Sequence, residues 1–337
     1  MLPIADLHCD LLSFLAEDPK RTIDDPLSKA SYPEMTAGGV AFQALAIFTH
    51  STKNSLVSGN KQLQCFRDLL ENHADCYTLF EPGYSLEQQS EKSSAKNLAK
   101  QISIMPAFEN AYGFSEEGEP IEKGLKHLDS VLKEIKRILY ISLTWDGENR
   151  FGGGCGSKIG LKEDGKRVLE WMDSKKIAID LSHTSDFLAD EIFNYLDKKS
   201  LKVPVMASHS NMRAITPKER NLPDFLTKEI LARDGLIGLN LFAPFIGKEP
   251  EAIAEHVEHL FTLGGEKNLC FGADFFPDLG FEYLKKKYQT DVGFFQELGN
   301  SSCYPRALAI LQNRLNLTDN QLQAIAYRNF EKYIYKM

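Results

Sequence analysis

Eight short apolar runs, most of them rich in β-branched residues, recur along the chain at 4–9, 40–48, 102–108, 138–144, 177–182, 203–208, 236–242 and 269–273. Between most of them lie segments with helical periodicity. Examples are Gly165 to Met172 and Pro250 to Leu263, where apolar residues return at three- and four-residue spacing. Strands alternating with helices imply a parallel sheet, and several runs are apolar on both faces, as strands packed between an inner core and outer helices must be. Eight such units predict an α/β fold of the (β/α)8 TIM-type barrel kind, with a doubly wound open sheet as the alternative. The 337 residues fit one such barrel with insertions, so a single domain over 1–337 is expected. Residues 49–62 and 84–100, rich in Ser, Asn, Gln, Glu and Lys, read as surface loop and solvated helix.

The candidate ligands fall in one kind of place. His8 and Asp10 end the first run, Glu109 the third, His183 the fifth, His209 the sixth and Asp274 the eighth. In a barrel the C-terminal ends of the strands converge on one face, so these residues become neighbours there. Singly each signal is weak. The His8-Cys9-Asp10 alternation puts both side chains on one side of an extended segment, which suits two ligands on one cation, but such a pair is often incidental. His183 or His209 alone reads equally well as a hydrogen-bonded core histidine. Together, such polar groups at the ends of neighbouring strands are costly to bury without a cation, and metal binding is expected. Mixed imidazole and carboxylate donors suit zinc, with manganese, iron or cobalt as substitutes. Five ligands (His8, Asp10, Glu109, His183, His209) exceed what one catalytic zinc uses, so two metals are expected, with Glu109, central in chain order, as the bridge.

Composition narrows the partners. A net charge of −8 disfavours a grip on phosphate backbones, so no nucleic acid is expected. The strand-like run begins almost at Met1, leaving no room for a signal peptide, and no stretch approaches the ~18 apolar residues of a membrane span. A cytoplasmic protein without membrane association is expected. The six cysteines (Cys9, Cys65, Cys76, Cys155, Cys270, Cys303) lack CxxC pairing and read as small reduced core residues. His50, His73 and His127 carry no assigned role; His256 and His259, three apart, read as a solvated helix face. Asp180 likewise has no argued catalytic role.

The motifs Asp6-Leu7-His8-Cys9-Asp10, Ala107-Phe108-Glu109-Asn110, Asp180-Leu181-Ser182-His183-Thr184-Ser185, Pro204-Val205-Met206-Ala207-Ser208-His209-Ser210, Glu219-Arg220-Asn221-Leu222-Pro223-Asp224 and Gly272-Ala273-Asp274, in this order, resemble the membrane dipeptidase (renal dipeptidase, peptidase M19) family. The resemblance spans nearly the whole chain and has the look of a bacterial-type member. It implies a (β/α)8 barrel with two Zn2+ ions, His8 and Asp10 on one, His183 and His209 on the other, and Glu109 bridging. It also implies dipeptide hydrolysis by a hydroxide held between the metals, with Asp274 moving the proton and Arg220 clamping the C-terminal carboxylate of the substrate. Two departures stand beside the expected substrate. Asn110-Ala111-Tyr112-Gly113-Phe114 follows the bridging glutamate where renal enzymes have glycines and a histidine, and Trp145 occupies the place of a family histidine assigned to substrate contact. Asn110 and Trp145 therefore join Arg220 as expected substrate-binding residues. The alternatives are a metal-dependent barrel hydrolase acting on another amide, a lactone or an ester, and a non-catalytic member of the family. A homodimer is carried only by analogy with other barrels.

Overall fold

A computed structural model describes residues 1–81, 83, 85–88, 101–278, 284–286 and 293–337. Among these, nine strands form one all-parallel sheet: β1 (Ile4–Cys9), β2 (Val40–Phe48), β3 (Tyr77–Leu79), β4 (Ile102–Glu109), β5 (Tyr140–Ser142), β6 (Ala178–Asp180), β7 (Val205–Ala207), β8 (Leu236–Leu239) and β9 (Leu269–Phe271). Their order is β2-β1-β9-β8-β7-β6-β5-β4-β3, and the β2–β4 pairing closes the ring. Eight strands therefore make a closed barrel, as the eight apolar runs imply. The ninth, β3, was not foreseen: it adds three residues to the edge of β4 at its start, Tyr77 opposite Ile102.

Closure is strongest between β2 and β4, in unbroken register from Phe42 opposite Ser103 to Phe48 opposite Glu109. The strands are buried on both faces, which is why they read as continuous apolar runs. The surrounding helices each bury one stripe. In Ile121–Ile135 the stripe is Ile121, Gly124, Leu128, Val131 and Ile135, at alternating three- and four-residue steps. The helical periodicity at 165–172 and 250–263 corresponds to the helix Glu163–Met172 and to a short 3₁₀ turn leading into the helix Ile253–Thr262. One expectation needs correcting: 49–62 is not all surface loop, because the helix Ser55–Asn72 begins inside it and buries Ser55, Gly59, Gln62 and Leu63. The expectation for 84–100 falls on residues 84 and 89–100, which lie outside the described residues.

Towards the C-terminal ends of the strands the buried interior turns polar. Asp6, Gln43, Ser142, Asp180 and Ser208 are all fully buried. Gly238 of β8 and Gly272 after β9 make room there, since a Cβ at either position would lie 1.9 Å from the Ser208 carbonyl oxygen. Two carboxylates stitch this layer across strands. Asp6 accepts from the backbone N–H groups of His8 (2.8 Å) and Ala273 (3.2 Å) and from the Tyr304 hydroxyl. Asp180 accepts from the Ser142 hydroxyl (2.6 Å), the Ser182 N–H (3.2 Å), and the Ser208 N–H (2.6 Å) and hydroxyl (2.9 Å). Burial raises both carboxyls against these bonds, Asp6 to about 6. No helix among the described residues is long and apolar enough to cross a membrane.

Candidate metal centre

Each expected ligand sits at a strand end. His8 is the penultimate residue of β1 with Asp10 just beyond it, and Glu109 closes β4; His183, His209 and Asp274 follow β6, β7 and β9. His183 and Asp274 both have φ of 65°, a left-handed conformation uncommon for residues with a Cβ, so the chain turns sharply where the side chains are presented. The helix after His183 starts three residues later, at Asp186, capped by the Ser185 hydroxyl on the Leu188 N–H.

The side chains converge. Glu109 Oε1 lies 3.0 Å from His183 Nε2 and 3.6 Å from His209 Nε2, and Glu109 Oε2 lies 3.3 Å from His8 Nε2. His8 Nε2 is also 3.6 Å from Asp274 Oδ1 and 3.9 Å from Asp10 Oδ2. Potential metal-holding groups form as His8, Glu109 and His209, and as His8, Asp10 and Asp274. A third, Asp146, Cys155 and His183, was not foreseen, Cys155 having been read as a core residue.

What lies between these atoms decides what they fit. The Nδ1 of His183 faces Asp146 Oδ1 at 3.0 Å, and an ionised carboxylate only accepts, so the proton of this ring is on Nδ1 and Nε2 carries a lone pair. The Nδ1 of His209 faces the Ser208 hydroxyl at 2.6 Å. The two Nε2 atoms are 3.1 Å apart, both directed at a carboxylate oxygen. Lone pairs facing lone pairs repel, and a cation among them turns the repulsion into coordination. His8 Nε2 and Asp10 Oδ1, both buried, have no hydrogen bond of good geometry among the described residues. The electrostatics agree: burial lowers His8, but Glu109, Asp274 and Asp10 outweigh it and push the ring up to about 10, so the site attracts positive charge. Burial and the Glu109 charge push Asp10 well above the usual carboxylate range. Against its own burial, Glu109 is held well below that range by His8, His183 and His209. The residues present thus fit one or more divalent cations.

Beside this cluster opens a cavity of about 390 Å³, lined by Asp10, Glu109, His183 and Asp274 together with Phe48, Trp145, Phe242, Phe245 and Phe276. Trp145 is part of its wall, in edge contact with Phe48 and His50 at ring-centroid distances of 5.1 and 5.0 Å. His50, given no role from sequence, lines the cavity too, and burial lowers its ring below the ordinary range. Asp274 accepts from Asn240 Nδ2 at 2.9 Å. Arg220 is buried and not in the described wall; it donates to the Ser210 hydroxyl and the His209 carbonyl, both at 2.8 Å, while its Nε–H has no partner among the described residues. Asn110, at φ 82°, is not in the described wall either. Its amide donates to the Thr49 carbonyl (2.8 Å) and the Ser51 hydroxyl (3.0 Å), and its oxygen accepts from Tyr112 N and Asn149 Nδ2, so it pins the loop after β4.

Sequence reasoning missed Asp146, Tyr140, Ser208 and Asn240, which bond the ligands from behind. It also misplaced His256, which is not on a solvated face: the ring is buried, its Nδ1 accepts from Met212 N (3.0 Å) and its Nε2 donates to the Ile246 carbonyl (2.9 Å). His259 pairs with Asp224 at 2.8 Å. All six cysteines are free thiols.

Comparison with known proteins adds the following. The family model described as membrane dipeptidase (peptidase family M19) matches residues 1–336. A dipeptidase of Aspergillus oryzae, aclJ, is 30% identical over 148 residues, 41% of this chain and 34% of that protein. The chain covers between 34% and 66% of the length of the curated relatives it matches. The fold is similar to a Rhodobacter sphaeroides metallo peptidase solved with a phosphinate mimic of the dipeptide L-Ala-D-Ala, with a TM-score of 0.76, 20% identity and 99% of each chain covered. It is also similar to a probable dipeptidase, PvdM, of Pseudomonas aeruginosa, with a TM-score of 0.71, 13% identity, and 97% of this chain and 99% of that one covered.

Proposed function

From the premise that this chain belongs to the membrane dipeptidase family, peptidase family M19, we propose that it is a zinc-dependent dipeptidase, hydrolysing the peptide bond of dipeptides at His8, Asp10, Glu109, His183 and His209. The observation that carries this reading is the convergence of these residues on Glu109, with Asp10, Glu109 and His183 lining an aromatic-walled cavity. Two zinc ions bound there would polarise the scissile carbonyl and lower the pKa of a water between them. Glu109, with one oxygen towards His8 and the other towards His183 and His209, would help to hold both ions.

The chain's own residues supply the rest. Asp274, raised by its burial and steadied by Asn240, takes a proton from the attacking water and passes it to the leaving amine. Trp145 and His50 line the same cavity, where an indole N–H and a neutral imidazole can donate to the substrate's carbonyl oxygen. Arg220 is the clamp for the substrate's C-terminal carboxylate. Its buried Nε–H lacks an acceptor, and a guanidinium that commits two donors to the protein keeps three for a ligand. Asn110 acts on the substrate only through the loop it holds. A cytoplasmic, unanchored location and a homodimeric state accompany this reading as proposals of their own.

One observation favours a second reading. The described cavity wall holds no Lys or Arg, and such a wall would suit a neutral amide, lactone or ester. The experiment compares kcat/KM for a dipeptide, its C-terminal amide and the matching tripeptide, on wild type and Arg220→Ala, across L,L and L,D pairs. The dipeptide alone should be cleaved efficiently. Arg220→Ala should lose roughly 30- to 5,000-fold on it, about 2–5 kcal/mol of charge-assisted pairing. If wild type cleaves all three within a few-fold, or Arg220→Ala leaves the dipeptide unaffected, the clamp is wrong and the second reading replaces it.

A further inference from the structure

His183 has its own carboxylate, Asp146, behind it. The other two imidazoles of the cluster do not. His209 Nδ1 meets the Ser208 hydroxyl at 2.6 Å, and His8 Nδ1 meets the Tyr140 hydroxyl at 2.6 Å. A hydroxyl can donate or accept, so neither contact by itself decides which nitrogen of the ring carries the proton. The decision is made one bond further back. Ser208 Oγ lies 2.9 Å from Asp180 Oδ2, and the Tyr140 hydroxyl has the Ser208 hydroxyl as its other hydrogen-bonding neighbour.

The placement of protons along this chain has one solution when Asp180 is a carboxylate. Asp180 only accepts, so the single Ser208 hydroxyl proton points at it. Ser208 then offers only lone pairs to His209 and to Tyr140. The Nδ1 of His209 must therefore be the protonated nitrogen, and Tyr140 must donate to Ser208, which leaves a lone pair on Tyr140 for His8 Nδ1–H. Each ring, when neutral, then has a bare Nε2 facing Glu109.

We infer that Asp180 is the positioning residue for both halves of the metal site, setting the tautomer of His209 through Ser208 and of His8 through Ser208 and Tyr140. It touches no ligand itself. One buried charge thus orients imidazoles that arrive from β1 and from the loop after β7, which are 201 positions apart in the chain. The carboxylate is itself held on both sides. One oxygen accepts from the Ser182 and Ser208 N–H groups, and Ser142 holds the second oxygen alongside the Ser208 hydroxyl. The inference rests on the metal-centre reading above but not on the identity of the substrate.

The test uses the full-length chain with 15N-labelled histidine, stripped of metal, where two-bond 1H–15N correlations report which ring nitrogen is protonated; zinc binding is then followed by competition with a chromophoric chelator. In wild type, His209 should be the Nδ1–H tautomer before zinc is added, and His8 and His209 should both carry their proton on Nδ1 once two zinc ions are bound. Asp180→Asn keeps the two backbone bonds on its oxygen and presents N–H to Ser208. The hydroxyl is turned round to donate to His209, moving that proton to Nε2, and both zinc affinities should fall roughly 10- to 100-fold, the range seen for partners behind metal-bound histidines. Tyr140→Phe should weaken only the zinc held by His8 and leave the tautomer of His209 unchanged, a split that general loosening of the barrel would not produce. If folded Asp180→Asn keeps both wild-type tautomers and both affinities within threefold, the inference is overturned. Should Asp180→Asn fail to fold, Tyr140→Phe decides: loss at one zinc only supports the relay, whereas equal loss at both, or none, overturns it. Absence of dipeptide hydrolysis in an enzyme with these tautomers and two zinc ions would instead remove the proposed substrate and leave the relay standing.

Discussion

Two buried histidine environments in this molecule look alike by burial and differ in everything that matters for chemistry. His256, on the buried face of the helix Ile253–Thr262, has a backbone donor on one ring nitrogen and a backbone acceptor on the other, so its hydrogen-bonding capacity is filled. His8, equally buried, has a hydroxyl on Nδ1 and nothing but acceptors around Nε2. The first environment stabilises a fold around a neutral ring. The second is left incomplete by the protein and is completed by a cation. Burial of a polar residue therefore says little about function; the balance of donors against acceptors around it says a great deal.

That contrast can be broken most forcefully at the bridge. Glu109→Gln replaces a charge that faces all three imidazoles with a neutral amide, and the amide nitrogen brings a donor into the space meant for a cation. Elemental analysis should fall from two zinc ions per chain to one or fewer, and dipeptide turnover by on the order of 1,000-fold, about 4 kcal/mol. Unchanged turnover would remove Glu109 from the site.

The filled environment makes the opposite kind of prediction, one about stability. Burial lowers the folded-state value of His256 from 6.5 to about 4. Between those values the unfolded chain binds a proton that the folded chain refuses, so stability falls as pH drops from about 6.5 to about 4, by up to ~3 kcal/mol. Denaturant unfolding of the metal-free chain at pH 7 and pH 4 should show wild type losing about that much more than His256→Gln, which cannot take up the proton. Equal losses would show that the ring is not held neutral by the fold.

The smallest effect sharpens the comparison within the metal site. Asp146→Asn leaves a side chain that can still contact His183 Nδ1 but no longer demands its proton. Zinc affinity should drop about 10- to 100-fold, roughly 1.4–2.7 kcal/mol, with the amount of folded protein unchanged. Undiminished affinity would show that the position of His183 is set by backbone alone.

How much of this was readable from residues alone follows a physical divide. The long strands β1, β2 and β4 announce themselves because burial on both faces demands unbroken apolar runs, and ligands at strand ends are visible because the end of a run is visible. β3 was not seen because three residues, Tyr77 to Leu79, carry no periodicity. The partners behind the ligands were missed for a different reason: Tyr140 meets His8 across 132 positions, and Ser208 meets Asp180 across 28, which only the closed barrel specifies. His256 could have been placed correctly, since Ile253, Val257 and Leu260 define an apolar stripe that includes position 256. Asn110 stood beside the bridging ligand in sequence, but the left-handed backbone at that residue turns its amide into the loop.

The bond from the Ala273 N–H to Asp6 spans 267 positions, and β1 finds its second neighbour only in β9. During synthesis, then, His8, Asp10 and Glu109 emerge from the ribosome well before the strand that completes their surroundings, and β1 waits with one edge unpaired. A nascent chain in that condition offers three ligands without a site and an open strand edge without a partner. The surroundings of these residues are complete only once β9 has docked on β1, and until then the open edge of β1 is exposed to other chains.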